Sequence, residues 1–137
     1  MTLSATEIAY LKSQRLGRLA TEQADGTLQV SPVGFELDES TGTIDIRGFF
    51  MSTSQKYRNI KHNGKAAFVV DDVPSVDPWR VRCIEIRGTA EAVPPTHPAT
   101  PGDDDAVIRI HPTRVISFGL EGSGDPHEML EKMRSRG

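Results

Sequence analysis

The sequence predicts a mostly β fold: six or seven short antiparallel strands closing into a small barrel, with small helices at its ends. Three observations predict it. Short runs alternate apolar and polar residues at strand period, most cleanly around Cys83-Ile84-Glu85-Ile86-Arg87. Tight turn signals, Asp25-Gly26 and the Asp38 to Gly42 run, join consecutive strands, so neighbours run antiparallel. Six or so strands in a chain of 137 residues avoid exposed edges best by curling closed.

The elements follow in order. Ser4-Ala5-Thr6-Glu7 matches a Ser-x-x-Glu capping box, and Ile8 and Leu11 follow at helical spacing, so a helix is expected from Ala5 to Gln14. Leu16 to Thr21 is a strand. Leu28 to Leu37 is the next, interrupted by Pro32, which suggests an edge, a bulge, or backbone facing a ligand. Thr43 to Phe50 is the third. Ser52 to Gln55 reads as a second capping box, opening a short helix from Thr53 to Lys61, with Gly64 as a left-handed cap. Ala66 to Val70 is a buried strand, Val73 to Pro78 a loop, and Trp79 to Val93 a long strand. Pro94 to Asp105, with four prolines, is a loop. Val107 to Ile110 and Thr113 to Leu120 are the last two strands, and the tail from Asp125 forms a short helix.

Size and composition fit one domain spanning residues 1–137. No run of about 20 apolar residues is present, so no membrane span is expected. The first residues, MTLSATEIAYLK, lack the basic start and apolar core of a secretory leader. The single cysteine, Cys83, excludes an internal disulfide and fits a reducing cytoplasm. A pI near 5.8 argues against nucleic-acid binding, which usually takes a basic domain.

One window departs from this acidic background. Residues 46–70 hold Arg47, Lys56, Arg58, Lys61 and Lys65 and no Asp or Glu. The chain carries −3 overall, so without these five charges the remainder carries −8. A solvated helix face normally mixes signs to gain i,i+4 pairs, and this one does not. The island runs from a strand end into a helix start, where free N–H groups and the helix dipole favour a phosphate. A bound phosphorylated small molecule is the inference. Lys56 is the leading ligand, and Arg58, on another side of the helix, is an alternative partner for a second subunit.

The remaining features read more plainly. Trp79 is either packing or a platform for a ring. Arg80 is a candidate ligand, and Arg82 a structural ion pair. Cys83 is small packing material. The four histidines, His62, His97, His111 and His127, show no metal-ligand spacing, so no metal site is expected. Asp103-Asp104-Asp105 reads as solvated loop. The hydrolase-elbow, P-loop and dinucleotide glycine motifs are absent.

Several pieces in this order resemble the flavin-binding split-barrel family, which includes pyridoxamine 5′-phosphate oxidase and the deazaflavin (F420)-dependent reductases of actinobacteria. They are LGRLAT, Val30-Ser31-Pro32-Val33, Lys56-Tyr57-Arg58-Asn59-Ile60 followed by AFVVDD, Pro78-Trp79-Arg80, Ile84-Glu85-Ile86-Arg87-Gly88 and Thr113-Arg114-Val115. The likeness covers nearly the whole chain and is closest to the small deazaflavin enzymes. It implies an FMN-binding type split barrel, a homodimer with the cofactor at the subunit interface, and an oxidoreductase passing a hydride to or from a small organic substrate. F420 is the expected cofactor and FMN the alternative. The family's S-x-K lysine, a phosphate ligand, falls here on Lys56 after Ser54. Arg58, Asn59 and Arg47 are the further candidates. Backbone from Ser31 through Pro32 and Val33 to Gly34 is implied to run beside the cofactor ring, with Trp79 and Arg80 lining the pocket from the partner chain. No catalytic acid–base residue is assigned. An FMN oxidase acting on an amine such as pyridoxamine phosphate, and a non-enzymatic binder of flavin, deazaflavin or haem, stay open. The Pro94 to Asp105 loop stands where many relatives carry a helix and a longer insertion, which implies a more open substrate side.

Overall fold

The computed structural model describes residues 2–121 together with His127, Leu130, Glu131 and Arg134. The helix expected from Asp125 falls largely outside the described residues; those four are helical. The rest is a seven-stranded antiparallel sheet curled into a split barrel, with two α-helices. Helix α1 (Ala5–Ser13) leads into β1 (Leu16–Glu22), β2 (Leu28–Gly34), β3 (Glu36–Asp38) and β4 (Thr43–Ile46). A 3-10 turn at Met51–Thr53 and helix α2 (Gln55–Asn63) follow, then β5 (Lys65–Ser75), β6 (Arg80–Val93) and β7 (Val107–Phe118). The spatial order is β2-β1-β5-β6-β7-β4-β3.

Each strand turns alternate residues inward, as a sheet with one buried face requires. Leu19, Ile44, Ile46, Phe68, Val70, Ile84, Ile86, Ile108 and Ile110 are almost wholly buried and form the barrel core. The Ser4 capping box holds as read: the Ser4 hydroxyl accepts from the Glu7 N–H at 3.1 Å, and the Glu7 carboxylate accepts from the Ser4 N–H at 2.9 Å. Gly64 caps α2 at φ 67°, in the left-handed region.

Several boundaries move, each for a local reason. The expected Leu28 to Leu37 strand breaks at Phe35 into β2 and β3, which pair with different neighbours. Pro32 lies on β2, an edge strand, where a missing N–H costs least. The strand expected to reach Phe50 stops at Ile46, because its ladder with β7 ends at the Ile46–Ile108 pair. The second capping box does not form. Ser54, not Ser52, caps α2, accepting from the Tyr57 N–H at 3.3 Å, so the helix runs from Gln55 to Asn63. Ser52 is held by Asp104 instead. Strand β5 continues to Ser75, beyond the expected Val70. The two expected last strands are one, β7, because Pro112 is absorbed where the register shifts between Arg87 and Gly88.

Helix α1 is tied to the β5–β6 ladder by three side chains. Tyr10 donates to Asp72 at 2.7 Å, and Arg82 donates to both Asp72 oxygens at 3.0 and 2.6 Å. The Arg82 guanidinium also stands 5.1 Å from the centroid of the Tyr10 ring. The Arg82 bond, assisted by Tyr10, holds the Asp72 carboxyl below its ordinary range, while burial and the Asp72 bond push the Tyr10 phenol up. A depressed folded pKa adds stability above the unfolded value, near 3.9, that is lost as pH falls through the folded pKa. Asp72→Asn is therefore expected to be less stable than wild type at pH 7 and to converge with it below about pH 4. Urea midpoints measured at pH 7 and at steps below about pH 4 check this; a difference that stays constant as pH falls below that value contradicts it.

Candidate cofactor site

The barrel is open along one seam. Strand β3 pairs with β4 in the register Glu36–Asp45, Leu37–Ile44, Asp38–Thr43. Continued two places, that register sets Gly34 opposite Arg47. At Phe35 the chain swings instead toward β1, where Gly34 pairs with Leu16. The Ser31 to Gly34 backbone thus borders one side of the seam, and the segment from Arg47 into α2 leaves from the other.

Helix α2 is docked by buried polar bonds. The Asn59 amide donates to Thr21 at 3.0 Å and to Gln29 at 3.1 Å, and its carbonyl accepts from Gln55 at 2.7 Å. Asn59 is 2% exposed. Its polar atoms are engaged within the chain, so it places α2 against β1 and β2. Gln29 and Ser31 share the inner face of β2, and the Ser31 hydroxyl is buried without a hydrogen-bond partner.

The cations of the segment stand differently. Lys56 is half-buried in the first turn of α2, where the Gln55 and Lys56 N–H groups have no acceptor inside the helix. Among the described residues no carboxylate lies within ion-pair distance of Lys56, Arg58 or Lys61. Arg47 is half-exposed and 3.8 Å from Asp45, whose oxygens are already taken by Arg109 at 2.9 and 3.1 Å. Arg58 folds back on its own helix start, donating to the Thr53 carbonyl and to Gln55. Lys65 leans toward Glu22 at 3.6 Å. The Ser54 hydroxyl is spent as the helix cap and on the Met51 carbonyl at 2.7 Å.

The other expected residues lie apart. Val33 is 7% exposed with its side chain in the core, so it offers backbone only. Trp79 and Arg80 sit at the β5–β6 hairpin, with Trp79 half-exposed and Arg80 donating to the Trp79 carbonyl at 2.9 Å. Strand β5 leads from α2 to that hairpin over eleven residues, about 33 Å at strand rise. Among the described residues no hydrogen bond or ion pair joins these two sets. Cys83 is a packing residue; burial pushes its thiol up to about 11.

Three features were not visible in the sequence. Gln29 and Thr21 anchor α2 from strands far away in sequence. Asp104, read as solvated loop, bonds Ser52. A shallow cavity of about 370 Å³ opens on the sheet face over β1, β5 and β6, floored by Ala20, Ala66, Ala67 and Gly88 and rimmed by Glu22, Lys65 and Arg87. Small residues on neighbouring strands are its only sequence signal, and no periodicity joins them.

The site is a cationic helix start on a split antiparallel barrel, and the likeness to known proteins makes it that of an oxidoreductase with a flavin-type cofactor. Residues 5–117 match the family described as pyridoxamine 5′-phosphate oxidase, and the chain belongs to that family. A relative from Streptomyces rimosus, a 5a,11a-dehydrotetracycline/5a,11a-dehydrooxytetracycline reductase, is 48% identical over 123 residues, covering 89% of this chain and 87% of its own. A solved F420 reductase is 28% identical at a TM-score of 0.57, covering 74% of this chain and 89% of that one. A conserved protein of Mycobacterium tuberculosis, Rv2991, shares the fold at 24% identity and a TM-score of 0.69, covering 93% and 91%. The residues present fit a phosphorylated flavin-type group. The Ser31 hydroxyl is buried without a partner, Lys56 is half-buried with no ion pair among the described residues, and the first N–H groups of α2 have no acceptor inside the helix. Among the described residues no helix is long and apolar enough to cross a membrane.

Proposed function

We propose that this chain is a deazaflavin (F420)-dependent reductase acting on a small, unsaturated polycyclic acceptor of the dehydrotetracycline kind. The observation that carries the cofactor choice is the island itself: Lys56, Arg58 and Lys61, with no carboxylate within ion-pair distance among the described residues, and Arg47, 3.8 Å from Asp45, on one short segment. F420 bears carboxylates on its tail as well as a phosphate, and this surface suits that long anion better than FMN. The substrate class rests on the 48% identity to the Streptomyces rimosus reductase, and the cofactor is further supported by the F420 reductase likeness.

Lys56 and the α2 N–H groups hold the phosphate, with Arg47, Arg58 and Ser54 around it. The Ser31 to Gly34 backbone and the Ser31 hydroxyl border the ring. When bound, the cofactor supplies the hydride. The protein binds both partners, orients them and excludes water. No side chain is assigned as proton donor.

The site is completed by a second copy of the chain. Leu16, Leu28 and Val30 lie exposed on the outward faces of β1 and β2, and Val76 and Trp79 on the hairpin. Such apolar exposure marks an interface, and a partner brings Trp79 and Arg80 to the seam. Light scattering is expected to give twice the 15.0 kDa chain mass; a monomer at micromolar concentration contradicts the shared site. With Cys83 a free thiol, we place the protein in the reducing cytoplasm.

Titration of the purified protein with F420 and with FMN, followed by ligand fluorescence, tests the reading. Tight F420 and weak FMN binding are expected, followed by reduction of a dehydrotetracycline by reduced F420. A preference for FMN moves the protein to the flavin-oxidase side, and tight binding without turnover makes it a carrier.

A further inference from the structure

The geometry points to Asp104 as a positioning residue: its carboxylate clamps the turn before α2 to the proline-rich loop and so sets where Lys56 and the open helix end stand. This rests on the reading that Lys56 and its neighbours hold the anionic part of the cofactor.

The turn from Arg47 to Ser54 has no strand beside it. Phe49 and Phe50 are exposed on it, packed edge to face at 4.7 Å. Met51 alone of these residues is buried in the core, so the remainder is free to sample many conformations unless something else ties it. The loop between β6 and β7 holds it at two places, and the end of β6 holds the first turn of α2 at a third. Asp104 accepts from the Ser52 N–H at 2.9 Å and from the Ser52 hydroxyl at 2.5 Å. Gly102 donates to the Phe49 carbonyl at 3.3 Å, and a side chain at Gly102 meets the Phe49 ring at 3.0 Å. Tyr57, in the first turn of α2, donates to the Val93 carbonyl at 3.0 Å.

The clamping loop is itself braced. Thr96 is bonded to Asp105, and Thr100 and Asp103 exchange backbone bonds at 3.1 and 2.8 Å. Four prolines reduce its unfolded freedom. The second Asp104 oxygen accepts from the Ala106 N–H at 3.1 Å, fixing the carboxylate from the β7 side. The Ser52 hydroxyl bond holds the Asp104 carboxyl below its ordinary range, so it is ionised at neutral pH. Both its oxygens are committed to Ser52 and Ala106. The charge therefore fixes the turn and leaves Lys56 free for an external anion.

The test compares wild type, Lys56→Ala, Asp104→Ala and the double variant in F420 titrations, together with hydrogen exchange of residues 49–57 in the cofactor-free protein. Asp104→Ala is expected to speed exchange across 49–57 and to weaken F420 binding about tenfold. Lys56→Ala, which costs about 10- to 100-fold in the wild type, is expected to cost under about threefold once Asp104 is gone. Equal Lys56 effects in both backgrounds mean that Asp104 only adds stability, and the positioning role is overturned. Unchanged exchange overturns the clamp. No effect of Lys56→Ala in the wild type overturns the cofactor-site reading, and the positioning role with it. Ser52→Ala removes only the hydroxyl half of the clamp and is expected to shift both readouts the same way by a smaller amount, which keeps the test decisive where Asp104→Ala does not fold.

Discussion

Replacing Lys56 by alanine is expected to weaken cofactor binding by about 1.5–3 kcal/mol, or roughly 10- to 100-fold, the scale of a charge-assisted hydrogen bond. Lys56 is half-buried at the first turn of α2, with no ion pair among the described residues. It has no internal partner to lose, so the loss falls on the ligand and not on the fold. The melting temperature of the cofactor-free protein is expected to stay within about 2 °C, as for a substitution that removes no native contact. Lys61→Ala, one and a half turns further along the same helix, serves as the control and is expected to cost under about threefold. Fluorescence titration at fixed ionic strength reads both. Equal losses from the two lysines would point to diffuse attraction by a basic surface, and no loss from Lys56 would remove it from the site.

Phe68→Ala is expected to destabilise the fold by about 3–5 kcal/mol, the usual cost of emptying a buried aromatic site. That is a large share of the 5–15 kcal/mol that holds a typical domain together. Phe68 is 1% exposed, lies on β5 between β1 and β6, and meets Phe35 edge to face at 5.2 Å. Gly17 on β1 makes room for it: a Cβ there comes 2.2 Å from the ring tip. Gly17→Ala alone is therefore expected to destabilise by overpacking, about 1–3 kcal/mol. In the Phe68→Ala background the same methyl enters the vacated space, so the double variant is expected to lose less than the sum. Urea unfolding of the four proteins measures the coupling. Strict additivity would show that the ring moves aside freely. Phe35 belongs to the same contact and sits at the bend where β2 leaves for β1, so the packing that stabilises the barrel also sets the seam.

Much of this was legible along the chain. The Ser4 box, Asp25-Gly26, the Gly64 cap and the alternation of β6 are local signals, and each element formed where its signal lay. The basic island was equally plain, because the absence of acids over twenty-five residues is a property of the sequence. The failures share one cause. Ser52 satisfies the capping pattern, yet its hydroxyl and N–H go to Asp104, fifty-two residues away. The strand signal at Arg47 to Phe50 is real, but a strand needs a partner, and the ladder to β7 runs out at Ile46. Pro112 reads as a break until it pairs with Gly88, with Thr113 beside it as the extra residue of a bulge in β7.

By itself the sequence determined the antiparallel β class, the two short helices, the inward-facing residues and the cationic segment. Those follow from periodicity, turn chemistry and charge, which act between residues a few positions apart. Only the tertiary structure decided that β2 and β3 would part at Phe35, that Asn59 would serve the fold through Thr21 and Gln29, and that Asp104 would take hold of Ser52. It also placed Trp79 and Arg80 at the hairpin where β5 ends, while α2 leads into the start of that strand. Hydrogen-bond partners and strand ladders are chosen by what lies close in space, and that closeness exists only once the barrel has curled.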